Sequence, residues 1–181
     1  DLLNIPTERL HRIYLINLPL GIMMIILGAI IKRRAKTSPH LLFITAFFIC
    51  IGLGPVSNAI YVRFDSLLLQ TIGNKIAISL ITIGAANLAM FLISLKVSMT
   101  VFRVERIPLY EAIWVALTGV YFLIPIQFGE FYTPIWPPAF LIYSILLTQS
   151  SFVICLIFAR KTWKSMEDPV VKKRLLIFTL G

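Results

Sequence analysis

Five apolar runs without a single Asp, Glu, Lys or Arg cover 13–31, 41–62, 76–95, 112–128 and 139–159. Each approaches the ~20 residues that the hydrocarbon core of a bilayer demands of a helix. A further run, 175–181, reads as the opening of a sixth span. Barrel strands are a poor alternative, because they alternate apolar and polar side chains over ~10 positions, whereas these runs are continuous and about twice as long. Charged residues make up 14% of the 181 residues, too few for a water-exposed surface, while 59% are hydrophobic and the mean hydropathy is +0.90. Lipid has to cover what water cannot. The expected fold class is all-α, a polytopic transmembrane helix bundle forming one domain over 1–181.

The charges orient the bundle. Lys32, Arg33, Arg34 and Lys36 follow the first run. Lys96, Arg103 and Arg106 follow the third. Arg160, Lys161, Lys164, Lys172, Lys173 and Arg174 follow the fifth, so thirteen of the 17 basic residues fall on one side. Arg9, Arg12, Arg63 and Lys75 fall on the other. Short loops rich in Lys and Arg stay in the cytoplasm, which places the N-terminus outside and predicts a multi-pass protein of the cell membrane. The net charge of +9 then lies on the inner face, where anionic head groups of the bilayer are the natural partner. Nucleic acid is not expected, since the basic residues flank spans and do not interleave with aromatics on one face.

Short loops imply antiparallel neighbours. The outer segment 63–75, RFDSLLLQTIGNK, is amphipathic and reads as a short interfacial helix. The outer loop 129–138, GEFYTPIWPP, carries Tyr132 and Trp136, residues suited to anchoring at head-group level. Its alternative role is a lid over an outward-facing pocket.

Catalytic chemistry is not visible. Cys50 and Cys155 sit within spans without metal-ligand spacing, and His11 and His40 lie on opposite sides. No phosphate loop or nucleophile elbow is present, so neither metal nor cofactor is expected. On these boundaries the spans hold no ionisable residue, whereas proton pumps and ion-coupled carriers usually need one.

The polar residues inside the spans are uncharged. Asn17, Asn58, Asn87, Tyr121 and Gln149 come from five different runs. Unsatisfied polar groups in hydrocarbon cost several kcal/mol each, so all five are expected to face the bundle interior, either as interhelical hydrogen bonds or as the lining of a ligand pocket. Gly54 and Pro55 predict a kink in the second span.

The segment ARKTWKSMEDPVVKKRLLIFTLG (159–181) leaves the membrane, stops at Glu-Asp-Pro and re-enters through a basic cluster. Asp168 suits a cap and Pro169 the first turn of a helix. Together with the basic turn IIKRRAKTSPHLLF (30–43), it resembles the seven-transmembrane N-terminal sensor region of histidine kinases and related signalling proteins. The resemblance implies two further helices and a cytoplasmic output domain, with the present chain as the signal-sensing region. The alternatives are an accessory subunit of a larger membrane complex, in which polar span residues dock on a partner or a second copy, and a transporter for an uncharged solute.

Overall fold

A computed structural model describes residues 12–34, 38–64, 66–95, 104–128 and 134–165. A π-helical turn, Arg12–Asn17, leads into α1 (Leu18–Arg34). Then come α2 (Pro39–Tyr61), α3 (Leu67–Ser94), α4 (Ile107–Leu123) after the 3-10 turn Val104–Arg106, and α5 (Pro138–Ser165). Between α4 and α5, β1 (Gln127–Phe128) and β2 (Pro134–Ile135) pair antiparallel, with Gln127 opposite Ile135. The expected sixth span, residues 166–174 of the linker before it and Tyr132 lie outside the described residues.

Proline sets several boundaries. Ser38 is extended (φ −97°, ψ 114°), as the residue before a proline tends to be, and Pro39 occupies the first turn, where its missing N–H costs nothing. Ile124 is extended in the same way (φ −88°, ψ 119°) and ends α4 before Pro125. At Pro137 the chain turns into α5, its carbonyl accepting from the Phe140 amide at 2.9 Å. Inside α2 the helix continues through Pro55, which leaves the carbonyl of Ile51 without a helical donor.

The segment 63–75 is not a separate interfacial helix. It contributes the first two turns of α3, because between Leu67 and Lys75 there is no proline to break the helix and only one glycine, Gly73. The α3 helix is therefore 28 residues long and includes Lys75. Likewise α4 starts one turn earlier than the expected run and includes Glu111. Both helices therefore run past the expected spans and take in an ionisable residue each.

Among the described residues, three helices are long and apolar enough to cross a membrane, Ile13–Arg34, His40–Tyr61 and Leu67–Ser94, and Ile107–Leu123 is a shorter apolar helix. Their polarity is distributed as in a membrane protein. On α3 the buried positions include Gln70, Asn74, Lys75, Ser79, Thr82, Asn87 and Ser94, while Leu67, Leu68, Leu69, Ile72, Ile76 and Ile81 are exposed. A water-soluble helix buries the opposite set.

In the bundle α1 packs on α2, α2 on α3, and α3 also on α4 and α5. Small residues fix the spacing. A Cβ on Gly21 would stand 2.7 Å from the Gly52 carbonyl oxygen, and one on Gly52 would stand 2.5 Å from the Gly21 carbonyl oxygen. The two backbones touch there, as glycine alone permits. Gly84 seats against Ile51, and Gly73 against the Tyr61 ring.

Gly119, on the exposed side of α4, has nothing within 4 Å of the place a Cβ would take. Gly52→Val is therefore expected to destabilise the bundle by about 1–3 kcal/mol through overpacking. Gly119→Ala should stabilise it by about 0.5–1 kcal/mol through helix propensity. Equilibrium unfolding in bicelles measures both, and a neutral Gly52→Val would remove the close α1–α2 contact from the description.

Candidate functional site

One cavity of about 280 Å³ brings the ends of three helices together. It is lined by Asn17, Gly54, Pro55, Asn58, Tyr61, Asn74, Ala77, Ile78, Ile81 and Trp136. Asn17 ends the π-helical turn, and Asn58 and Tyr61 occupy the last turn of α2. Asn74 to Ile81 belong to the first half of α3.

Tyr14 ties the π-helical turn to α2. Its hydroxyl donates to the Ala59 carbonyl at 2.7 Å and accepts from Arg63 Nε at 2.7 Å. The Arg63 guanidinium also lies 4.7 Å from the centre of the Tyr14 ring, an attractive cation–π arrangement. On α3, Gln70 Nε2 donates to the Phe64 carbonyl at 2.7 Å and closes the turn below the cavity.

The cavity combines amides with an apolar wall. Asn74 Nδ2 donates to the Tyr61 hydroxyl at 2.9 Å, but Asn74 Oδ1 is buried without a partner on a residue only 6% exposed. An unpaired buried acceptor of this kind costs about 1–3 kcal/mol. Asn17 and Asn58 are half-buried. Trp136 stacks on Phe140 in the first turn of α5, ring centres 4.6 Å apart, and Phe140 in turn packs against Tyr121 at 5.0 Å.

A second polar centre lies deeper, between α3, α4 and α5. Tyr121, fully buried, shares a hydrogen bond with Thr82 at 3.2 Å, and Thr82 reaches Thr148 at 3.5 Å. Tyr143 donates to the Leu117 carbonyl at 2.7 Å. Closer to the basic end, Asn87 Nδ2 donates to the Ile83 carbonyl at 3.0 Å and to Glu111 Oε2 at 3.2 Å. At that end His40 Nδ1 lies 2.6 Å from Ser94 Oγ. Ser94 Oγ also lies 2.7 Å from the Phe91 carbonyl, which accepts.

The five expected pocket residues thus separate. Asn17 and Asn58 meet in the cavity, beside Gly54 and Pro55. Tyr121 and Asn87 belong to the deeper polar centre. Gln149 lies on the exposed side of α5, because the inward positions there are Thr148 and Ser151, and the helix turns 100° per residue. Of the two expected anchors, Trp136 sits at the cavity and Tyr132 is outside the described residues.

Sequence reasoning missed Asn74 and Lys75, since it placed 63–75 outside the third span, and it passed over Tyr61 within the second. The spacing Gln70, Asn74, Ala77 and Ile81 is one continuous helical face and carries the signal. Lys75 itself is 5% exposed and donates to the Phe122 carbonyl at 3.3 Å. It caps the C-terminal end of α4, where a cation is favoured.

Asn87→Leu is expected to cost about 1 kcal/mol, the usual worth of an interhelical hydrogen bond in a membrane. Gln149→Leu should leave stability unchanged or raised. Unfolding of both variants in bicelles measures the contrast; an equal loss for Gln149→Leu would show that its amide has a partner.

Comparison of the chain with protein-family models, with curated proteins and with solved structures finds no match.

Proposed function

We propose that this chain is the signal-sensing region of a multi-pass membrane protein, with its N-terminus outside, and that the stimulus is a small molecule taken into the cavity between the π-helical turn, α2 and α3. One observation carries the reading: the cavity wall includes Trp136, and Trp136 stacks directly on Phe140 at the start of α5. Occupation of the cavity therefore bears on the first turn of α5. That helix is 28 residues long, about 42 Å at 1.5 Å per residue, against a hydrocarbon core of ~30 Å. It carries a displacement from the cavity end to Arg160, Lys161 and Lys164 at the basic end. In this reading all five helices span the bilayer, and anionic lipid holds the basic end. A ligand shifts the equilibrium only through different affinity for two packings, and the Trp136–Phe140 contact is the element whose packing differs.

Orientation is tested first. With Cys50 and Cys155 replaced by Ala, Ser66→Cys is expected to react with an impermeant thiol reagent in intact cells. Lys164→Cys is expected to react only after permeabilisation. The reverse pattern would invert the topology and close the outside route to the cavity.

The relay is tested with a spin label at Lys164→Cys in nanodiscs. A small molecule that saturably perturbs Trp136 fluorescence is expected to change the label's spectrum over the same concentration range. Perturbation of Trp136 with an unchanged label would leave a binding bundle without a relay, as an accessory subunit would be.

A further inference from the structure

We propose that a second copy of this chain packs in parallel on the outer face of α5, with Gln149 of each copy hydrogen-bonded to the other across a two-fold axis. The proposal rests on α5 crossing the bilayer and is independent of what the cavity holds.

The helix itself sets the face. Phe140, Thr148, Ser151 and Ile154 turn inward: Phe140 and Ser151 are buried, Thr148 reaches Thr82, and Ile154 packs beside Ala89 and Leu92 of α3. The opposite side carries Ile142, Leu146, Gln149, Val153 and Leu156, all exposed. Steps of four, three, four and three residues make these five a straight seam of the kind that joins two helices in a left-handed pair. Gln149 stands at its centre, midway between Pro138 and Arg160.

Lipid has no donor or acceptor to offer at that depth. Ser150, also exposed, settles its hydroxyl proton on the Leu147 carbonyl at 3.0 Å. Among the described residues the Gln149 amide has no hydrogen bond within its own chain. An amide so placed draws a neighbouring helix.

Symmetry selects which neighbour. Two copies inserted with the same topology lie parallel, so each residue of the seam meets its counterpart at the same depth. An amide is both donor and acceptor, and two of them satisfy each other, whereas a carboxylate or an ammonium would repel its twin. From Ile142 to Leu156 the seam positions hold no charge, and the next position in the spacing, Arg160, falls at the basic end. Any other helix would have to bring a polar residue to that one depth; a second copy does so by symmetry alone.

For the test, the chain with Cys50 and Cys155 replaced by Ala is labelled at Lys164→Cys with donor or acceptor dye and reconstituted in vesicles over a range of protein-to-lipid ratios. Energy transfer is expected to rise to a plateau above the level of random proximity. Gln149→Leu should weaken association roughly tenfold while leaving the bundle folded at high lipid dilution, since its amide has no partner there. Oxidative cross-linking should join copies through Val153→Cys and not through Ile22→Cys, which lies on the exposed side of α1.

Energy transfer at the random level at every ratio would overturn the second copy as the occupant of this face. Dimers indifferent to Gln149→Leu, or cross-linked through Ile22→Cys in place of Val153→Cys, would overturn the face itself. A nitroxide at Ile145→Cys, at high lipid dilution, separates these failures from a failure of the spanning reading. It should meet oxygen more often than a water-soluble nickel chelate, and the opposite preference would overturn the span and the dimer together.

Discussion

The polar residues of α3 have to find their partners inside the bundle, because the helix's outer face is leucine and isoleucine. The remaining packing follows from that demand. Thr82 meets Tyr121 and Thr148, which draws α4 and α5 onto α3. Asn87 meets Glu111 and Lys75 meets the Phe122 carbonyl, so α4 is held at both ends. Asn74 meets Tyr61 and Ser94 meets His40, which does the same for α2. In hydrocarbon such bonds contribute modestly, roughly 1 kcal/mol each. Their larger effect is on register, since a slip would leave several buried polar groups unpaired at once.

Between these polar joints the helices approach through small residues. Gly21 and Gly52 bring two backbones into contact, and Gly54, Gly73 and Gly84 each accept a large side chain from a neighbour. Dispersion, not exclusion of water, holds such surfaces together in lipid, so close fit is what matters. The α1 helix depends on this most: its exposed side is continuous isoleucine, leucine and methionine, and its hold on α2 comes from Gly21, Gly28 and the Tyr14 hydrogen bond to Ala59.

Much of the architecture was legible in the sequence, because uninterrupted apolar runs leave little choice but helix. What the sequence hid was where the spans begin. A charge looks like a boundary, and Lys75 and Glu111 were read as boundaries. Both instead lie within helices, where a backbone carbonyl and a carboxamide receive them. That displacement removed Asn74 from view and with it a principal residue of the cavity. Asn17 and Asn58 were recognised from their polarity alone, which says that an amide needs a partner but not which one. Gln149 shows the same gap: one position along α5 separates it from Thr148, and composition does not record the helical phase that decides which of the two faces inward.

The cavity lies where both kinds of contact run out. Around Gly52 and Gly54 the α2 backbone is pressed between α1 and α3, with a Cβ at Gly54 only 2.9 Å from Ile81 Cγ1. One turn further along, Asn58 and Tyr61 replace glycine, and Asn17 and Asn74 face them. Short amides neither interdigitate as isoleucine does nor close fully on one another, so space remains. Apolar space of this size can stay dry, but space walled by amides does not, since its polar atoms bind whatever donor or acceptor enters. The wall therefore has an amide side, Asn17, Asn58 and Asn74, and an apolar side, Pro55, Ile78 and Ile81, and Trp136 joins it to the first turn of α5.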